Sequence, residues 1–118
     1  MTNLAQATSK AQRRRKFSRH RLDARVQLSV FREGLTTKLW GRTSEIGQDG
    51  VGATLSGELR VGEVVSLEFP IPLPPHIMKV RAVVRYSEGL RCGLEFLVVT
   101  NEQKLTLHQL CVMSANAF

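Results

Sequence analysis

Between residues 22 and 30 every second residue is apolar, and the residues between them are polar or charged. The apolar set is Leu22, Ala24, Val26, Leu28 and Val30. A period of two places one set of side chains on a single face, which is typical of a strand with one buried and one solvated side. The pattern predicts a strand here and argues against a helix, whose apolar residues would recur every three or four positions.

The same period, broken by turn residues, predicts five further strands. They lie at about residues 36–43, 51–55, 64–69, 78–86 and 90–98. Prolines at positions 70, 72, 74 and 75 end the fourth strand, because proline cannot donate to a sheet ladder. The turn at residues 87–89 joins the last two strands into a hairpin.

The period changes at Thr100. Thr100 followed by Gln103 has the form of a capping box, and Leu107, Leu110 and Cys111 then recur at helical spacing. Six strands and one C-terminal helix predict a mainly β protein, a six-stranded antiparallel β-barrel whose open end the helix can plug. The chain shows no βαβ alternation, which argues against a doubly wound fold.

Charge is distributed unevenly along the 118 residues. The formal charge is +7, yet residues 1–21 contain seven cations and no acid, which leaves ten basic and ten acidic residues for the remainder. A neutral domain with a basic N-terminal arm is therefore expected, with an anionic partner that meets the arm.

Several classes of function are disfavoured. No apolar run approaches the roughly 20 residues of a membrane span, so we expect a cytoplasmic protein without membrane contact. Cys92 and Cys111 lack disulfide or zinc spacing and are interpreted as buried thiols, with no metal expected. His20, His76 and His108 have no nucleophile and acid arranged near them in sequence, so an enzyme is not expected.

Two segments carry more information. The basic run at residues 13–21 is, by itself, a solvated arm that binds polyanions, and the glycines at positions 47, 50 and 52 are, by themselves, a tight turn or bulge. Taken together they form a pair of motifs. Arg15 and Arg19 give R-x-x-x-R before the first strand, and Glu45-Ile46-Gly47-Gln48-Asp49-Gly50 resembles [D/N]-x-S-x-x-G after the second.

The order and spacing of these motifs resemble the PilZ domain family. The resemblance covers residues 13 to about 113, including Gly93-Leu94-Glu95-Phe96 near the end of the sixth strand. It implies a PilZ-type barrel at residues 13–113, which includes the arginine arm, between a flexible tail at 1–12 and a short C-terminal tail at 114–118.

PilZ domains are bacterial receptors for cyclic di-GMP, so the resemblance implies that ligand and no other cofactor. Its binding residues would be Arg14, Arg15, Arg19, Glu45, Gly47 and Gly50. Arginine offers a planar fork of donors to guanine O6 and N7 or to phosphate, and a carboxylate can accept from guanine N1 and N2. The last glycine would let the backbone approach the ligand closely.

The sequence departs from the family pattern at two positions. Glu45 replaces the usual Asp or Asn, which keeps the charge and adds a methylene group. Gly47 replaces the usual Ser and deletes a hydroxyl whose hydrogen bond to the ligand would be worth about 0.5 to 1.5 kcal/mol. Arg14 precedes the R-x-x-x-R unit and would serve a second, stacked ligand molecule if two bind.

The expected function is that of a second-messenger receptor. Ordering of the arm on ligand binding would create a surface for an unidentified downstream protein, with the chain a monomer or homodimer. One alternative is a degenerate PilZ adaptor that binds protein and not nucleotide. Another is a non-specific nucleic-acid binder that uses the N-terminal cations, although specific recognition of DNA or RNA is not expected.

Overall fold

The computed structural model describes residues 17–116. It contains seven strands and one helix. Their bounds are β1 His20–Arg21, β2 Arg25–Arg32, β3 Leu35–Ile46, β4 Gly50–Leu55, β5 Val64–Pro70, β6 Ile77–Glu88, β7 Arg91–Phe96 and α1 Asn101–Asn116.

Six of the strands close into an antiparallel barrel. The order is β3–β2–β5–β6–β7–β4, and β4 pairs back onto β3. Because every strand of the ring has two neighbours, the ring leaves no unpaired edge. The short β1 pairs with the end of β3 outside the ring and is an element that the sequence analysis did not predict. The predicted six-stranded barrel with one C-terminal helix is confirmed.

The barrel interior is filled by the residues that the alternation assigns to it. Val26, Leu28 and Val30 of β2 are at most 2% exposed, and alternate residues of β5 are buried in the same way. Leu107 and Leu110 of α1 join this core cluster. The helix therefore packs against the barrel contents with the apolar positions that its spacing predicted.

The helix begins at the predicted capping box. The backbone N–H of Gln103 donates to the Thr100 hydroxyl at 3.0 Å, and the Thr100 N–H donates to the Gln103 side-chain oxygen at 3.0 Å. Cys92 and Cys111 are both buried and both free, as predicted, and burial raises the pKa of the Cys92 thiol to about 11.

Part of the predicted alternation fails in the last hairpin. The register of β6 shifts between Val84 and Tyr86, so Tyr86 points outward, against Gly93. Leu90 and Val98, predicted as buried strand positions, lie outside β7 and are exposed. A bulge adds one residue to one strand only, and here it reverses the facing of Tyr86. Leu90 lies in the turn before β7 and Val98 follows its end, so the alternation does not extend to either residue.

A bidentate ion pair fixes the loop before β5. The Arg32 guanidinium contacts the Glu63 carboxylate at 2.6 and 2.8 Å and donates to the Glu58 carbonyl oxygen at 2.9 Å. The Glu63 carboxylate also accepts the backbone N–H of Arg60 at 2.7 Å. These hydrogen bonds, chiefly those from Arg32, lower the pKa of Glu63 to about 2.

We expect this pair to make stability depend on pH on the acid side. The ionised Glu63 contributes fully above its ordinary pKa of 4.5, and its contribution disappears as the pH falls towards 2. E63Q should lower the free energy of unfolding by about 1 kcal/mol at neutral pH, since the pair is only partly shielded from water. Urea titrations at several pH values measure the difference from the wild type.

The matched control is E58Q, which removes an exposed carboxylate from the same loop. It should leave the unfolding free energy unchanged. A difference between E63Q and wild type that stayed constant from pH 7 to the acid limit would contradict this role of Glu63.

Candidate functional site

The pairing of β1 with β3 places Arg19 beside the turn that joins β3 to β4. His20 lies opposite Ile46, and Arg21 lies opposite Glu45. Arg19, the residue just before β1, is thereby carried past the end of β3 to the turn at residues 47–49. Motif residues that are far apart in sequence meet because these two strands are antiparallel.

A buried hydroxyl anchors the segment between β1 and β2. The Thr43 hydroxyl accepts the N–H of Ala24 at 2.9 Å and donates to the carbonyl oxygen of Leu22 at 2.7 Å. Thr43 is 3% exposed, and its hydroxyl satisfies backbone groups that the strands leave unpaired here. The chain that leads to Arg19 is therefore held firmly against β3.

A bulge in β3 sets the direction of Glu45. Thr43 pairs with Ala53 and Glu45 with Gly52, so Ser44 is the extra residue. Without it, strict alternation from the buried Thr43 would turn Glu45 into the core. With it, Ile46 is buried and Glu45 lies at the barrel rim, partly exposed.

Arg19 lies between two carboxylates. Its Nη1 is 3.4 Å from Glu45 Oε2, and its Nε is 3.3 Å from Asp49 Oδ1. The Arg19 side chain is only 13% exposed, in contrast to the exposed arm expected from the sequence. Arg19 Nε and Asp49 Oδ1 are buried and form no hydrogen bond within residues 17–116, so the contact between them is purely ionic.

Gly47 has no side chain, and the Arg19 side chain occupies the space that one would fill. A Cβ atom on Gly47 would lie 2.7 and 2.8 Å from Cδ and Nε of Arg19 and 2.9 Å from Asp49 Oδ1. Its φ lies outside the left-handed region, so the backbone accepts other residues. Any side chain at position 47 has to displace Arg19. The Arg19 side chain is flexible and can move aside.

The turn itself is tied to the barrel. Gly47 N–H donates to the Gly50 carbonyl oxygen, and Phe96 N–H donates to the Asp49 carbonyl oxygen, both at 2.9 Å. A Cβ on Gly50 would collide with the carbonyl oxygen of Leu94. The close approach at Gly50 is therefore to the backbone of β7.

The helix also touches the turn. Gln48 Nε2 lies 3.1 Å from His108 Nδ1 on α1. Burial raises the pKa of the Cys111 thiol; the charge of Asp49 raises it further and that of Arg19 opposes this. The turn thus connects the arginine arm on one side with α1 on the other.

The structure brings together four of the six candidate residues, namely Arg19, Glu45, Gly47 and Gly50. Arg14 and Arg15 lie outside the described residues. Asp49 was not identified as a site residue from the sequence, although it is an acid within the glycine-rich motif. Within residues 17–116 no three His, Cys, Asp or Glu side chains cluster as a metal site, and no helix there is long and apolar enough to cross a membrane.

Solved structures show the same fold. The inhibitor of motility MotI/DgrA of Bacillus subtilis matches with a TM-score of 0.66 and 24% identity over 85% of this chain and 50% of that one. The PilZ domain of YcgR from Escherichia coli, solved with c-di-GMP, has a TM-score of 0.68 and 14% identity, with 88% and 93% covered. The PilZ domain of CeSA from a cellulose-synthesizing bacterium gives 0.61 and 13%, with 79% and 93% covered.

The chain thus spans half of the MotI chain and nearly all of the two isolated PilZ domains. No curated protein matches the sequence. The family model of the PilZ domain matches residues 13–112, which is most of the chain and includes both motifs. This chain belongs to the PilZ domain family.

Proposed function

We propose that this chain is a receptor for cyclic di-GMP, with Arg14, Arg15 and Arg19 on one side of the ligand and Glu45, Gly47 and Gly50 on the other. The observation that carries the proposal is the position of the Arg19 guanidinium, 3.4 Å from the Glu45 carboxylate at the barrel rim. The family consists of receptor and adaptor domains and not of enzymes. The YcgR domain that shares this fold was solved with the same dinucleotide.

The chemistry of the two sides suits the ligand. An arginine fork can donate two parallel hydrogen bonds to guanine O6 and N7, or to a phosphate oxygen pair. The Glu45 carboxylate can accept from guanine N1 and N2, which donate. A cyclic dinucleotide carries two guanines and two phosphates, so it offers partners for several arginines and an acid together.

In the structure, Arg19 is already paired. Its guanidinium lies against Glu45 and Asp49, so the ligand has to replace at least part of these contacts. The replacement moves Arg19 away from Asp49 and draws the arm over the rim, where Arg14 and Arg15 join it. The new arrangement of the arm is the signal that a downstream protein reads.

A second candidate is an adaptor that binds protein without nucleotide. It is favoured by the absence of a hydroxyl at Gly47 and by the two carboxylates that already form ion pairs with Arg19. The similarity to MotI, described as an inhibitor of motility, points in the same direction. Calorimetric titration with cyclic di-GMP, GTP and duplex DNA separates the two candidates and the polyanion alternative.

The loss of ligand affinity should depend on which arm cation is replaced. R15A and R19K should each weaken cyclic di-GMP binding by about tenfold or more, since a bidentate arginine contact to guanine is worth roughly 1 to 3 kcal/mol. R19K keeps a cation beside Asp49 and Glu45, whereas R19A would leave a buried carboxylate oxygen unpaired. Isothermal titration calorimetry gives the affinities.

The control for this series is K10A, which removes an arm cation outside the motif and should change the affinity less than about twofold. Equal losses in all three variants would instead indicate simple neutralisation of phosphates. Duplex DNA would then bind with a steep salt dependence, with a slope near −0.9 per phosphate contact.

Neutralising Asp49, which competes with the ligand for Arg19, should strengthen ligand binding. D49N is expected to tighten cyclic di-GMP binding a few fold, because the ligand no longer displaces Arg19 from a charged partner. In the free protein the Arg19 Nε–H resonance should shift and exchange faster with water, as measured by NMR. D23N neutralises the exposed partner of Arg42 and should change neither quantity. Unchanged Arg19 exchange in D49N would contradict the pairing.

Restoring the family's serine tests the same contact from the other side. G47S should bind cyclic di-GMP several fold more tightly, because the Cβ pushes Arg19 off Asp49 and the hydroxyl adds a hydrogen bond of about 0.5 to 1.5 kcal/mol. G47A supplies the Cβ without the hydroxyl and should give only part of the gain. Weaker binding and a lower melting temperature in G47S would show that Gly47 is required by the turn.

A further inference from the structure

A row of polar side chains crosses the outer wall of the barrel. Ser29 of β2 lies opposite Lys38 of β3 on one side and Ser66 of β5 on the other, and Ser66 lies opposite Arg81 of β6. The row therefore reads cation, hydroxyl, hydroxyl, cation across four adjacent strands. Neighbouring strands are about 4.8 Å apart, so the two cations at the ends are separated by about 14 Å at the backbone.

A second row lies beside the first, two residues along each strand. It runs across the same four strands as Trp40, Gln27, Glu68 and Lys79. The two rows line a groove of about 500 Å³, and a second hollow of about 330 Å³ continues past Gln27 and Glu68 to Trp40 and Ile77. Trp40 is 52% exposed and Ile77 is 39% exposed, so this end of the groove offers apolar surface beside Arg25.

The polar side chains that line the groove have no hydrogen-bond or ion-pair partners among residues 17–116. Lys38, Lys79 and Arg81 form no ion pair there, and the hydroxyls of Ser29 and Ser66 form no hydrogen bond there. Other cations of the same strands are paired, for instance Arg32 with Glu63, Arg42 with Asp23 and Arg85 with Glu95. Glu68 is the one acid that lines the groove. Because three cations line it as well, the groove is positively charged overall.

From these features we infer that the groove is a docking surface for an acidic, extended segment of a partner protein. The charge is complementary to carboxylates, and the free hydroxyls can donate to them as well. The two rows are about 7 Å apart, which equals the spacing of alternate side chains on one face of an extended segment. A carboxylate between Lys38 and Arg81 would thus place the side chain two residues later beside Trp40, and the side chain four residues later beside Ile77.

Other occupants fit this surface less well. The groove is open to solvent and would leave much of a small ligand exposed, whereas small-molecule sites enclose most of their ligand. A nucleic-acid backbone would bring phosphates against Glu68 in the middle of the surface. None of the residues that line the groove belongs to the arginine and glycine motifs, so the docking surface does not depend on the proposed nucleotide binding.

The test uses the whole chain and a short synthetic peptide in which each glutamate is followed two residues later by a leucine, with serine at the positions between, so that both lie on one face of the extended peptide. Amide NMR spectra should show shifts concentrated at residues 27–29, 66–68 and 79–81 and weak, saturable binding. The double variant K38E/R81E should weaken binding by about tenfold or more, because it reverses both end charges. W40A should weaken it independently, since it removes the apolar contact.

The control variant R91E/K104E reverses two exposed cations outside the groove and should bind within about twofold of the wild type. The same peptide with lysine in place of glutamate should not bind. The inference is overturned if the acidic peptide does not bind at millimolar concentration, if both double variants lose binding equally, or if duplex DNA shifts the same amides at lower concentration than the peptide. Saturating cyclic di-GMP should leave peptide binding unchanged.

Discussion

The pairing of β4 with β3 is the constraint on which the site depends. It closes the sheet, and because β3 and β4 are antiparallel and consecutive in the chain, a short turn joins them at the barrel rim. That turn is residues 47–49, fixed by backbone hydrogen bonds to Gly50 and Phe96. The bulge at Ser44 then directs Glu45 to the rim and returns Ile46 to the core. Closure of the barrel and presentation of the acidic turn are therefore a single structural event.

Within this frame, Arg19 and Gly47 form a matched pair. The φ of Gly47 lies outside the left-handed region, so conformation does not demand glycine there. The demand comes from the volume of the Arg19 side chain, which passes over the Gly47 Cα to reach Asp49. A chain with serine at this position could not hold its arginine in this way. The departure from the family pattern and the additional acid at Asp49 are thus two parts of one arrangement.

Local pattern predicted most of the fold, because strand and helix periods are set by which side chains are buried. The alternation in β2 and β5 and the capping box at Thr100 were sufficient for that. The bulges at Ser44 and near Tyr86 were not predicted, since an extra residue looks like an imperfect alternation until the partner strand is known. β1 has two residues, too few to show a period.

The contacts of the site were predictable only in part. The sequence motifs identified Arg19, Glu45 and Gly47. The contact between Arg19 and Asp49 joins residues 30 positions apart, so only the tertiary structure shows it. The groove on the outer wall was missed for a similar reason. Ser29, Ser66 and Arg81 look like ordinary solvated strand positions, and only the strand register aligns them into a row.

A closed, densely packed barrel also limits how a signal can leave the proposed binding site. Close-packed interiors resist small deformations, so displacement of Arg19 cannot readily be passed through the barrel wall. It can be passed along the rim, where the turn contacts α1 through Gln48 and His108 and where β1 leads into the arm. In the proposed receptor, the rim therefore supplies the surface that changes with ligand, and the groove on the wall supplies one that does not. A partner protein that contacted both surfaces would bind through the groove and respond to the ligand through the rim. The affinity for the partner and the control of that affinity would then come from different surfaces.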